Sequence, residues 1–215
     1  MFTLKNVFAV IVIGLNPFIC IYGKQINNFM TTMAELLRLV ESKNKPKLEL
    51  ESLPYNRNQL APVMSKATID YHYGELAKSY VDRYNKGEGD PVFNEAGAFL
   101  HNIFFPQLMP PKMGNKPRGA SLALIERKFD SFEKFREKMR EEAMKIQGSG
   151  WIYLSRTGEI KTIKNHQIKR DIALLIDWWE HAWAKDYASN KSKYFDNIWR
   201  CINWDRVNIR IYAGK

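Results

Sequence analysis

Cysteine and histidine are both scarce in this chain of 215 residues, with two cysteines and four histidines. Two thiols, Cys20 and Cys201, exclude a disulfide framework and a four-thiolate zinc site. No solenoid-type internal repeat is present. No apolar run is long and uninterrupted enough to read as a membrane span, so no stable membrane insertion of the mature domain is expected. Acidic residues are outnumbered: Lys+Arg 33 against Asp+Glu 23 leaves a net charge of +10, which favours small anions or polyanions as partners. Basic stripes interleaved with exposed aromatics, the usual footprint of nucleic-acid binding, are not evident. What remains is 45% hydrophobic and 13% aromatic, ample for one folded core at this length.

Residues 1–23 carry one lysine, an apolar run from Val7 to Leu15, then Asn16-Pro17, and a small residue, Gly23, at a possible cleavage point. The pattern is that of a leader addressing the secretory pathway or an organelle such as the mitochondrion. Residues 24–52 read as an N-terminal extension. Ile26, Met30, Met33, Leu37 and Val40 recur at helical spacing between Gln25 and Ser42, and a charged linker follows.

From Leu53 the sequence is punctuated like a packed domain. Ser65 suits the N-cap of a helix running to about Tyr84, and a turn over Asn85–Pro91 leads to a second helix from about Val92 to Phe105. Residues 53–111 are thus expected to form a helical hairpin. Residues 112–215 should then hold two amphipathic helices (120–129 and 131–146), strands at Trp151–Ser155, Ile160–Lys164 and Ile172–Ile176 as a three-strand meander, and helix from Ala188 onward. The fold class is α+β: an N-terminal α-helical hairpin plus a C-terminal α/β domain with a three-stranded antiparallel sheet.

Three histidines fall beside these elements: His72 in the first helix, His101 in the second, and His181 four residues after Asp177. Imidazole suits several transition metals, and an added carboxylate favours iron or manganese. Asp177 ends an apolar strand, where an unpaired charge would be costly and a metal would serve as partner. Any one of these histidines is as readily a surface or hydrogen-bonded core residue.

The words around them are more specific. Asp177-Trp178-Trp179-Glu180-His181-Ala182 resembles the D-x-W-E-H-A signature of the iron/manganese superoxide dismutase family. The resemblance runs from Leu53 to about Val207, through Leu53-Pro54-Tyr55, Leu60-Ala61-Pro62, Tyr71-His72-Tyr73-Gly74, Phe93-Asn94, His101-Asn102-Ile103-Phe104-Phe105, Gln147-Gly148-Ser149-Gly150-Trp151 and Asn203-Trp204. It implies one iron or manganese ion per subunit, held by His72, His101, Asp177, His181 and a solvent molecule. Its substrates would be superoxide and protons. It also implies Tyr80 at the substrate channel, Trp151 and Trp179 as aromatic walls, and a residue hydrogen-bonded to the metal-bound solvent. That last role goes to His166, with Gln167 as the alternative, because Gly97 at the family's other position cannot donate. Glu180 implies a homodimer, since the family's glutamate reaches the partner subunit's ligand histidine.

Leu76 and Ala77 stand where the family has two histidines, and Trp183-Ala184 where it has two tyrosines. These departures, the charge and the N-terminal segment leave a second reading: a non-catalytic dismutase-fold protein, such as a mitochondrial ribosome subunit, in contact with RNA.

Overall fold

The computed structural model describes residues 26–37 and 46–213. The expected leader and residues 38–45 of the extension lie outside the described residues. The chain divides into two units, Met1–Pro46 and Lys47–Lys215. In the first, residues 26–37 form a helix (α1) whose apolar side chains Ile26, Phe29, Met30 and Leu37 are exposed. Among the described residues no helix is long and apolar enough to cross a membrane.

The second unit opens with an extended segment. Leu48 exchanges two hydrogen bonds with the Asn85 side chain, each 2.8 Å, and the Asn102 side chain bonds the backbone of Glu49 and Glu51 at the same distance. The segment expected as a charged linker is therefore docked over Leu48–Glu51, because two asparagine amides supply the donor and acceptor of a strand edge.

The hairpin forms as its punctuation dictates. Ser65 caps α2 (Lys66–Tyr71) by accepting from Thr68 N. The helix then widens into a π-helical turn, His72–Ala77, before continuing as α3 (Lys78–Lys86). The periodicity indicates helix but not this insertion, a feature that clusters at functional sites. Gly87 ends α3 in the left-handed region, Asp90 caps α4 (Pro91–Phe104) with bonds from Val92 N and Phe93 N, and Pro91 takes the first helical position. Gly97 lets the two helices close: a Cβ there would lie 2.8 Å from the Tyr80 ring.

Helices α5 (Ala120–Phe129) and α6 (Phe132–Met144), the latter capped by Ser131, lead to strands β1 (Gly150–Ser155), β2 (Ile160–Lys164) and β3 (Ile172–Asp177). The sheet is antiparallel in the order β2-β1-β3, so the expected meander order is corrected. Every residue of β1 and β3 is buried, whereas β2 buries only Ile163. Two strands apolar on both faces pair with each other in the interior, and the lysine-bearing strand takes an edge, where charge deters further pairing. The register sets Trp151 opposite Asp177. Two elements at 180–187 were not expected, a 3₁₀ turn at Glu180–Ala182 and α7 (Ala184–Tyr187). They precede α8 (Lys191–Ile198) and α9 (Trp204–Tyr212).

Hairpin and sheet share one core. Leu100, Phe104 and Phe105 from the hairpin cluster with Trp151, Leu174 and Ile176. The β1–β2 turn is clamped to α5: Gly158 has φ +90°, and a Cβ there would lie 2.7 Å from Lys128 Cγ and 3.0 Å from Leu124 Cδ1. Gly158→Ala is expected to destabilise the protein by at least roughly 1–2 kcal/mol, from the left-handed backbone alone. The urea midpoint measures it, and an unchanged midpoint would mean that the turn is free to relax.

Candidate metal centre

Two elements of the hairpin and two of the C-terminal portion each deliver one ligand-type side chain. His72 opens the π-helical turn, His101 sits in the last turn of α4, Asp177 ends β3, and His181 lies in the 3₁₀ turn that follows. One ligand atom from each lies within 4.8 Å of all the others. The Nε2 atoms of His72 and His101 are 3.1 Å apart. Asp177 Oδ2 is 3.1 Å from His72 Nε2, 3.3 Å from His181 Nε2 and 3.8 Å from His101 Nε2. His72, His101 and Asp177 are fully buried, and His181 is nearly so.

These donors fit a metal ion. Ligands at about 2.0–2.2 Å from a common centre stand roughly 3–4 Å from one another, as they do here. Hydrogen bonding alone does not account for the arrangement. His101 Nδ1–H donates to the Gly97 carbonyl at 2.7 Å, so its Nε2 offers a lone pair to the centre, where the Asp177 carboxylate is also an acceptor. Acceptors aimed at one buried point repel each other unless a cation stands there.

Protonation states agree. Burial, reinforced by His181 and opposed by Asp177, pushes His72 down to about 4. Burial and then His72 push His101 well below the usual imidazole value. Burial would raise Asp177, but the charges and hydrogen bonds of His181 and His72 outweigh it and hold the carboxyl far below the usual range. Neutral imidazoles and an ionised carboxylate are the metal-binding forms. Asp177 Oδ1 also accepts from Trp179 N at 2.8 Å, which fixes the carboxylate plane.

Around the ligands stands a shell of rings. Trp151, fully buried, packs edge-on to His101 at 5.1 Å. Its Nε1–H donates to His166 Nδ1 at 3.2 Å, so the proton of neutral His166 resides on Nε2, which is buried without a protein partner among the described residues. His166 stacks on Trp179 at 4.5 Å, and burial pushes it down to about 4. Trp179 lies against His181 as well, at 5.5 Å. Gln167 is exposed and takes no place here, because neighbouring residues leaving a strand point to opposite sides. Tyr80 is buried with its ring 5.5 Å from His101 and 4.9 Å from His166; burial, with Asp177 adding, pushes its phenol up to about 12. Glu180 is exposed and lines, with His181, Trp179, Trp183 and Lys191, an open concavity of about 660 Å³.

Phe93 was not singled out as a site residue, yet its ring lies 4.7 Å from His166 and 5.9 Å from Tyr80. The signal was present: Phe93, Gly97 and His101 recur every four residues and so share one face of α4. Of the four departures from the family pattern, Ala77 and Trp183 are buried and Leu76 and Ala184 partly so, with Trp183 Nε1–H donating to the Trp178 carbonyl.

Known proteins are similar to this chain along nearly all of the second unit. The family described as iron/manganese superoxide dismutases matches by its alpha-hairpin domain over residues 47–91 and by its C-terminal domain over residues 117–210. A Mn/Fe superoxide dismutase of Porphyromonas gingivalis is 34% identical over 189 residues, covering 75% of this chain and 98% of the relative. An Fe superoxide dismutase of Bacteroides fragilis is 33% identical over 190 residues, covering 76% and 98%. A chloroplastic Fe superoxide dismutase of Arabidopsis thaliana is 31% identical over 196 residues, covering 77% and 92%.

The depressed imidazoles of His72, His101 and His166 dictate a pH dependence for the metal-free protein. In the unfolded chain His72 and His166 titrate near 6.5, in the fold near 4. Between those values the unfolded state binds more protons, so acid favours unfolding. Stability should be full above about pH 6.5 and fall, by about 2 kcal/mol for each of these two rings, as pH drops towards 5. Urea midpoints of metal-free protein at about pH 7 and about pH 5 test this, and equal midpoints would show that none of these rings is held neutral by burial.

Proposed function

The chain belongs to the iron/manganese superoxide dismutase family, and on that premise we propose how its own residues divide the work of turning superoxide into dioxygen and hydrogen peroxide. It is an oxidoreductase that works with one iron or manganese ion. When bound, that ion supplies one-electron chemistry between its +3 and +2 states, so that one superoxide is oxidised and the next reduced. The observation that carries the reading is the convergence of His72, His101, Asp177 and His181 within 4.8 Å.

In this proposal the four ligands hold the ion through both states, and their supports keep them from relaxing. Gly97 O fixes the His101 tautomer and Trp179 N fixes the Asp177 plane. Peroxide formation consumes two protons. His166 presents Nε2–H and Tyr80 its phenolic proton, with the two rings 4.9 Å apart and each next to His101. His166 would hydrogen-bond solvent in the site through that N–H, and Tyr80 would pass protons to the product. Phe93, Trp151 and Trp179 narrow access to small species. The non-catalytic, RNA-contacting reading is not favoured, since it gives no reason for four ligand-type side chains to converge in a buried site.

Purified protein is expected to carry iron or manganese and to dismute superoxide. Asp177→Ala should abolish both, while Tyr80→Phe should retain the metal and change turnover by roughly tenfold or more, in the range of a lost proton donor. Metal-free, inactive wild type would reject the reading, and unchanged turnover in Tyr80→Phe would remove the tyrosine from the relay.

Two further parts of the proposal concern assembly and address. Glu180 stands exposed beside His181 in an open concavity, and the family's glutamate reaches across to a partner subunit, which supports a two-fold homodimer. Residues 1–23 have a leader's pattern, and relatives that carry the word chloroplastic in their names support an organelle among its destinations. Sedimentation of the native protein should give a dimer, and N-terminal sequencing of it should begin near residue 24. A monomer would dismiss the first proposal, and an N-terminus at Met1 the second.

A further inference from the structure

Arg83 lies three residues after Tyr80 on α3, and its guanidinium sits over the Tyr80 ring, 5.2 Å from the centroid. Arg83 Nη2 donates to Ser79 Oγ at 3.2 Å, which steadies the head group there. The side chain is exposed, and among the described residues no carboxylate forms an ion pair with it. The adjacent acid, Asp82, is engaged by Lys78 at 2.5 Å. Arg83 therefore keeps its full charge facing solvent, with Tyr80 as the one ring between it and the His101 and His166 rings.

We propose that Arg83 is the cation that steers superoxide to the metal centre past Tyr80. It acts by position and charge, without touching the reacting atoms, and the proposal rests on the dismutase activity of the same site. Ring contacts of 5.2 and 5.5 Å separate the guanidinium from His101. That span is well inside the Debye length at low salt, about 30 Å at 0.01 M, and comparable with or beyond it at about 8 Å in 0.15 M. A charge acting over such a distance must lose influence as salt is added.

Arg83→Gln keeps the stem and a hydrogen-bonding end but removes the charge, and Arg83→Lys keeps the charge. For Arg83→Gln, kcat/KM at about 10 mM ionic strength should fall roughly three- to tenfold, with kcat unchanged and the deficit shrinking at about 150 mM. Azide, a small anion titrated into metal-loaded protein and followed by absorbance, should bind more weakly by a similar factor at low salt. Arg83→Lys should keep both properties near wild type. A glutamine variant with the wild-type salt dependence and azide affinity would overturn the proposal, as would a lysine variant as impaired as the glutamine one, which would mark Arg83 as packing for Tyr80. Should the glutamine variant not fold, wild-type azide affinity that is insensitive to ionic strength would equally overturn it. The wild-type rate in the same assay tests the dismutase reading separately.

Discussion

A carboxylate buried at the end of an apolar strand is the constraint from which the rest of this structure follows. Asp177 has no exposure, and Lys or Arg is not what faces it: its neighbours are the Nε2 atoms of three imidazoles at 3.1–3.8 Å. Stranding an ionised carboxylate in a core is costly by several kcal/mol. Neutral imidazoles relieve that only in part, and His101 relieves it least, since its one proton is committed to Gly97 O. The cluster is balanced when a cation occupies its centre. Metal affinity and folding are therefore coupled, and the fold invests two helices, a strand end and a 3₁₀ turn in bringing the four groups together.

Rigidity comes from the partners behind the ligands. One metal-facing nitrogen is useful only if the other nitrogen of the ring is fixed, and the α4 backbone does this for His101 through a bond to the residue four positions earlier. The same economy sets His166. Trp151, seated by its register opposite Asp177 and Ile163, donates to Nδ1 and leaves a hydrogen-bearing Nε2 inside the site. Trp151 is thus at once a wall against His101 and the group that selects the His166 tautomer. Gly97 is similarly double: its carbonyl holds His101, and its missing side chain makes room for Tyr80. A substitution at either position would disturb two things at once.

How much of this could be read from residues alone depended on whether the information was local. Caps at Ser65, Asp90 and Ser131 act within three residues, and the helices they open begin where the sequence says. Strand existence followed from runs such as Ile172–Ile176, but strand order did not. It depends on which apolar surfaces meet, and β3 pairs with the edge of β1 opposite β2. The π-helical turn at His72 adds a residue to a helix without changing its apolar spacing enough to notice. The docked segment at Leu48–Glu51 reads as a charged linker because its partners, Asn85 and Asn102, lie 37 to 53 positions away. Between His166 and Gln167 composition offers no choice; burial decides, placing the first among the rings and the second in solvent.

The residues that depart from the family's pattern make a physical argument of their own. A histidine and a tyrosine that bond to each other leave an unsatisfied polar group when one is lost, at about 1–3 kcal/mol if buried. Replacing both by apolar groups avoids that. Leu76 and Ala77 carry no hydrogen-bonding side chain, Ala184 none, and the one polar atom introduced, Trp183 Nε1, donates to the Trp178 carbonyl. None of the four departing side chains is a ligand, although Leu76 and Ala77 belong to the same π-helical turn as His72; His181 lies in the turn that begins at Glu180. Among the described residues, the phenol ring of Tyr80 and the imidazole of His166 both pack against His101, and the Arg83 guanidinium stands over the Tyr80 ring.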